Sequence, residues 1–345
     1  MTDKAYCMSS YLTFRYVIRD DKDFFDTTRH QLYHLIPEEK RITVSNAEDI
    51  DCELEKQFAH LRNKRLGILL SGGMDSACLA SYLQGFDAYT FRFLGGSYQQ
   101  EELIRAEIFA QKAGMRLHYV DIDWDAVENC LDYIMMCKGA PIHSIEPQLY
   151  VAAKQAAQDG VEMLIIGDAA DYLFGGMDGL LSKDWQFDEF VNRYTYVDPA
   201  LVLKEPVSMR EAFEKYRIGD RIDFLALMHE YTDIESYASY QNAFKAANMP
   251  FCDPYEVLKM AQPIDLTRIR KGESKYLIRD LFKKKYPDIP VPQKLPMPRP
   301  VDAYFSSWEG PKRPEFRDEI DMTHFSGNQK WLLYCLERFL NMYEE

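Results

Sequence analysis

The chain has 345 residues, 47% hydrophobic and 28% charged, with a formal net charge of −14. This supports a buried core, in two domains or in one large domain with an appendage, while the acidic balance argues against nonspecific binding to nucleic acid or an anionic membrane. Seven scattered cysteines without a CxxC pair point to free thiols in a reducing compartment, and with no signal peptide and no apolar run of about 18 residues the expected location is cytoplasmic.

In chain order, Ser10–Ile18 alternates and is rich in β-formers, which predicts a strand. Glu48–Leu61 places Ile50, Leu54, Phe58 and Leu61 at helical spacing and predicts an amphipathic helix. Leu66–Leu70 is a short apolar run, Ser71-Gly72-Gly73 follows at once, and Met74–Leu83 returns to helical spacing. A strand, a tight glycine loop and a helix aim free N–H groups and the positive end of a helix dipole at one point, which suits a phosphate. The paired glycines admit an anion close to the backbone. Ser71 and Ser76 add hydroxyl donors. Asp75 would repel a phosphate unless a cation lay between them, which points to Mg²⁺. A plain strand–turn–helix connection would need glycine for geometry alone, but the full Ser-Gly-Gly-X-Asp-Ser word favours the phosphate. It is not a Walker P-loop, since no Gly-Lys-Ser/Thr follows.

Strands are predicted next at Ala88–Phe93, Leu117–Ile122 and Glu162–Ile166, alternating with helices at Gln99–Ala113, Trp124–Cys137 and Gln148–Ala157. That order predicts an α/β fold, a doubly wound parallel sheet with helices on both faces and its ligand at the carboxyl ends of the strands. Gly167 and Asp168 sit at such an end. Asp168 and Asp171 are three apart and share a side if the turn is helical. Asp171 would then join Asp75 on one hard cation; alternatively Asp168 caps the turn and Asp171 is solvated. Beyond about residue 180 the strand signals fade. Helices are predicted at 185–194, 209–216, 222–231, 234–248, 255–261, 274–286 and 328–342. Pro287–Pro300 must be extended and stiff, as a linker or as a loop pinned over a site. The expected division is a 1–60 extension, a 61–180 nucleotide-binding core and a mostly helical 181–345 part.

The Ser71–Ser76 word resembles the PP-loop of the N-type ATP pyrophosphatases. Gly167-Asp168-Ala169-Ala170-Asp171-Tyr172-Leu173-Phe174-Gly175-Gly176 resembles the signature of the asparagine synthetase synthase domain. Weaker words keep the family order: Ile145–Tyr150, Met249–Asp253, Ser274–Pro287 and Pro292-Gln293-Lys294. β-Lactam and carbapenam synthetases share this domain. The resemblance implies a PP-loop ATPase fold. The activity it implies is adenylation of a substrate carboxylate, with pyrophosphate released, then an amide or lactam formed with ammonia or an amine.

By that resemblance Ser71, Gly72, Gly73, Asp75 and Ser76 hold the pyrophosphate, Leu69 and Gly167 frame the adenosine, Asp75 and Asp171 hold Mg²⁺, and Lys294 offsets charge at the α-phosphate. Asp168 stands where asparagine synthetases carry Glu, on the substrate side, and could orient or deprotonate an amine. Tyr172 replaces a second Glu, and Ala169-Ala170 replace Gly-Ser, so divergence falls on the acceptor. The residues before the loop are too few for a glutamine-hydrolysing domain. Nitrogen is therefore expected as ammonia, from a separate glutamine amidotransferase, or as a substrate amine. Two other readings are a PP-loop enzyme that adenylates tRNA or transfers sulfur, which the acidic balance and missing CxxC disfavour, and a non-catalytic nucleotide-binding subunit. His143 reads as packing or solvation rather than catalysis, Lys283-Lys284-Lys285 as a solvated helix end.

Overall fold

A computed structural model describes residues 1–95, 100–295 and 297–344. Its strands are β1 (Ile42–Val44), β2 (Leu66–Leu69), β3 (Asp87–Phe93), β4 (Arg116–Ile122), β5 (Met163–Ile165), β6 (Arg217–Ile218), β7 (Arg221–Ile222), β8 (Phe251–Cys252) and β9 (Leu258–Met260). Five of them form one parallel sheet in the order β4-β3-β2-β5-β8. The chain enters at β2, winds outward through β3 and β4, then returns to the other side of β2. The switch point of the sheet thus lies between β2 and β5, where ligands bind in such folds.

The first seven helices are α1 (Lys4–Phe14), α2 (Ala47–Leu61), α3 (Met74–Ala80), α4 (Gln100–Lys112), α5 (Trp124–Lys138), α6 (Glu146–Gln158) and α7 (Ala169–Leu173). Gln99, the expected start of α4, lies outside the described residues. Strand side chains alternate between two cores. Val120, Ile122, Leu164 and Ile166 pack with α5, α6 and the Gly327–Tyr343 helix. Leu66, Ile68, Ala88 and Ile165 pack with α2, α3, α4 and the Tyr276–Lys285 helix. Both sheet faces are covered, as a parallel sheet requires. A third, aromatic-rich cluster joins Phe14 and Tyr16 to the short helices between 181 and 231. No helix among the described residues is long and apolar enough to cross a membrane.

Two predicted elements fail and one strand was not foreseen. Ser10–Ile18 is not a strand: it falls on α1 and the turn after it. Asp3 caps that helix by accepting from the Tyr6 N–H, and every residue from Cys7 to Phe14 is buried. A helix buried all round has no polar face, so its period is invisible. Residues 255–261 are not helical: β9 pairs in parallel with β1, Leu258 opposite Ile42, and the strand is too short to show a period. The fifth core strand, β8, is two residues long and carried no signal. Lys284 and Lys285 are also not simply solvated, since both ion-pair with Asp51.

One buried polar network ties the sheet's helical cover together. Glu146 is fully buried. It receives Lys138 Nζ at 2.7 Å, the His143 N–H at 2.8 Å and Asn242 Nδ2 at 2.5 Å. It thereby joins α5, α6 and the Asp233–Ala246 helix. Removing one member of a buried pair strands the other charge. Glu146→Ala should therefore cost about 3–5 kcal/mol of stability, whereas Glu146→Gln, which keeps an acceptor, should cost less. Urea unfolding of the two variants checks this order.

Candidate active site

Leu66–Leu69 ends at the switch point, and Leu70, still buried, leads into Ser71. The loop is held by its own hydroxyls. Ser71 Oγ and Ser76 Oγ lie 3.0 Å apart, Ser76 Oγ accepts the Ser71 N–H, and Ser71 Oγ accepts the Gly73 N–H. Glycine at 72 is sterically required: a Cβ there would stand 2.8 Å from the Glu102 carbonyl and 2.9 Å from Arg105 Cβ. β5 delivers Gly167 and Asp168 beside this loop. A cavity of about 280 Å³ lies between them. Leu69, Ser71, Gly72, Gly73, Asp75, Ser76, Gly167, Asp168, Asp171 and Lys294 all line it. The structure thus brings every sequence-predicted site residue to one place.

Asp75 and Asp171 do converge, but on an ammonium group. Lys275 Nζ donates to Asp75 Oδ2 at 2.5 Å and to Asp171 Oδ1 at 2.9 Å. Lys294 Nζ adds 2.7 Å bonds to Asp171 Oδ1 and the Gly176 carbonyl. Lys275 is 3% exposed and sits at φ +52°, a left-handed conformation that is costly for a side chain other than glycine. Burial opposes its charge, but Asp75 and Asp171 together raise its pKa. The two carboxyls respond differently. Burial raises Asp75 despite Lys275, whereas for Asp171 the two lysines overcome burial and hold it low. Gly176 makes this cluster fit, since a Cβ there would lie 2.1 Å from Asp171 Oδ1.

The donor set suits Mg²⁺. Asp75 Oδ1 is buried and has no hydrogen-bond partner among the described residues. One or two carboxylates completed by water and substrate phosphate is the usual way this ion is held.

Asp168 does not cap α7. Its Oδ2 accepts from Ser236 Oγ at 2.7 Å, and burial pushes its pKa up to about 7. The N-terminus of α7 is pinned instead by Asp253, which accepts the Ala169 N–H at 2.7 Å. Tyr255, two residues past the Met249–Asp253 word, donates to the Asp75 carbonyl at 3.0 Å, so Asp253 and Tyr255 together brace both glycine-rich segments. Tyr172 points away: its hydroxyl is buried without a partner among the described residues, and it lines another cavity with Arg41 and His229. His143 is buried, not solvated, and Arg15 Nη1 lies 2.6 Å from its Nε2.

Sequence reasoning missed Lys275, Arg279, Ser236 and Tyr240. Lys275 had a signal, since it opens the Ser274–Pro287 word. Ser236 and Tyr240 had none, because they reach the site only through packing of the Asp233–Ala246 helix. The described residues of the proline-rich segment form neither helix nor strand, and Lys294 reaches Asp171 from it; Pro296 lies outside the described residues.

The asparagine synthase family model matches residues 54–248, which include both glycine-rich words but neither Lys275 nor Lys294. The "Putative asparagine synthetase (glutamine-hydrolyzing) 1" of Methanocaldococcus jannaschii is 30% identical over 122 residues, 32% of this chain and 21% of that protein. The chain thus spans about a fifth of the length of that curated relative. Two solved structures align at low similarity. The U34-tRNA thiolase NcsA from Methanococcus maripaludis has a TM-score of 0.34 and 12% identity, covering 86% of this chain and 80% of that one. The NMN synthetase from Francisella tularensis has a TM-score of 0.30 and 10% identity, covering 74% and 100%.

The lysine bridge yields a prediction with a sign. In Lys275→Met Asp75 loses the ammonium that pairs it while Asp171 keeps Lys294, so Asp75, already raised by burial, takes a proton. A carboxyl with a raised folded-state pKa binds more protons folded than unfolded, so stability falls as pH rises through that pKa. The variant should lose about 3–5 kcal/mol at pH 8 and less at pH 5.5, as urea unfolding at both values will show. With both glycine-rich words placed on one parallel sheet, and the family model matching more than half of its length, this chain belongs to the asparagine synthase family.

Proposed function

We propose that the chain is an ATP-dependent ligase that adenylates a substrate carboxylate and joins it to ammonia or an amine. The observation that carries this reading is the convergence of the Ser71–Ser76 loop, the Asp75–Asp171 pair with two lysines, and Asp168 in one cavity. The loop and Arg279 receive the β- and γ-phosphates, and Leu69 and Gly167 flank the adenosine. A carboxylate oxygen of the acid attacks the α-phosphorus, and the bond to the β-phosphate breaks to release pyrophosphate. Negative charge grows on phosphorus in that step, and the Lys294 ammonium, fixed by Asp171 and the Gly176 carbonyl, offsets it. Mg²⁺ at Asp75 and Asp171 would neutralise polyphosphate charge. The amine then attacks the acyl carbon, the acyl–oxygen bond to AMP breaks, and Asp168 accepts the amine proton.

The cysteines support this reading over sulfur transfer. None lines the cavity among its described walls, and burial pushes Cys7 and Cys130 up to about 12 and Cys78 and Cys335 well above the ordinary range. A thiol held protonated is a poor nucleophile. The nitrogen donor, free ammonia or a separate glutamine amidotransferase, is part of this proposal, as is a cytoplasmic location.

Acid-dependent exchange of labelled pyrophosphate into ATP tests the reading: exchange with a carboxylic acid is expected, and exchange that instead requires tRNA would overturn it. Lys294→Ala should lower exchange by roughly 10²–10³-fold, with ATP affinity by calorimetry within about twofold. If Asp168 is the base, amide formation should fall as pH drops below about 7, and Asp168→Asn should flatten that limb while leaving pyrophosphate exchange in place.

A further inference from the structure

Two buried donors near α7 have nothing to bond. Tyr172 is 7% exposed, and its hydroxyl lacks a hydrogen-bond partner among the described residues. Arg41 is 6% exposed, and its Nε and Nη2 lack partners in the same way. Both side chains line a second cavity, of about 280 Å³. Buried donors in folded proteins are nearly always paired, because an unmade hydrogen bond there is costly. Two such side chains on one small cavity mark a place that something other than the chain completes.

This cavity is not the one at the switch point of the sheet. Its walls come from α7, from residues 38–41 that lead into β1, from the 225–233 segment, and from β9 with the loop after it. Of its described walls only Asp171 belongs to the first cavity as well. Asp168 faces the first cavity, Tyr172 and Leu173 the second.

The carboxyls around Arg41 are already engaged. Asp233 Oδ2 lies 3.0 Å from His229 Nδ1, and Glu38 Oε1 lies 3.8 Å from Lys259 Nζ. Asp171 holds Lys275 and Lys294. Glu256, which also bears on Arg41, accepts the Ile36 N–H at 3.2 Å, and burial raises its pKa. Burial likewise keeps the proton on the Tyr172 hydroxyl, which can therefore donate. A guanidinium edge and a phenol O–H together match the two oxygens of a carboxylate. A phosphate would bring a second negative charge towards Asp233 and Glu38. The remaining walls, among them Leu173, Leu181, Leu225, Met228 and Ile264, are apolar. An apolar cavity with a few placed polar groups is the usual form of a small-molecule site.

We propose that this cavity is a second ligand site, separate from the ligase centre, for a small monocarboxylate with an apolar body. Arg41 and Tyr172 bind the carboxylate, and the leucine and methionine walls hold the body.

Calorimetric titration of the full chain with hexanoate and benzoate, against hexanol and hexyl phosphate, tests this. One or both acids should bind, roughly tenfold more tightly than hexanol or hexyl phosphate. Arg41→Met should weaken acid binding roughly 10- to 100-fold, and Tyr172→Phe roughly tenfold, as loss of hydrogen bonds to a charged group predicts. Lys294→Ala, in the first cavity, should leave acid affinity within about twofold, which separates this site from one where the acid is a ligase substrate. Melting temperatures of the unliganded variants report their folding. Tyr172→Phe deletes only an unpartnered hydroxyl, so it decides the matter if Arg41→Met does not fold. Binding of neither acid by the wild-type chain, the result for a cavity that holds water only, overturns the proposal. Unchanged affinity in Arg41→Met and Tyr172→Phe, or binding lost in Lys294→Ala, overturns it too. Tighter binding of hexyl phosphate than of either acid overturns the carboxylate as the ligand class.

Discussion

The Lys275 ammonium between Asp75 and Asp171 is the interaction on which the site depends. Two carboxylates from different strand ends, 96 positions apart in the chain, would repel across a partly dry cavity. A lysine that is itself almost fully buried brings them together, and its own charge is sustained only because they are there. Strained backbone at Lys275 is the cost of aiming that side chain back into the sheet's switch point. Gly176 completes the arrangement by leaving room for the Asp171 carboxyl.

Around this centre charge is sorted by function. Lysines and Arg279 gather where phosphates would lie. Asp168, lifted by burial, is held by Ser236 and shares the cavity with Tyr240. The Glu146–Lys138–Asn242 network holds the helix that supplies Ser236 and Tyr240, so the acceptor side inherits its shape from packing well behind it. Asp253 and Tyr255 do the same for α7 and the Asp75 segment.

The α/β architecture was legible in the sequence because short apolar runs such as Leu66–Leu70 alternate with longer stretches of helical spacing. The failures share a cause. α1 is buried on every side, β8 spans two residues and β9 three, so none shows a periodicity that a local reading can detect. Tertiary contacts decide such segments: Leu258 becomes a strand residue because Ile42 offers it an edge.

The sequence by itself determined the two glycine-rich words and the carboxylates they carry, because close backbone approach and charge must be written locally. It also marked Lys294, through its place in an ordered set of motifs. Only the tertiary structure decided that Lys275 bridges Asp75 and Asp171 and that Asp168 is held by Ser236. These facts depend on which distant side chains meet in a low-dielectric cavity, and in this chain no local pattern of residues encodes those meetings.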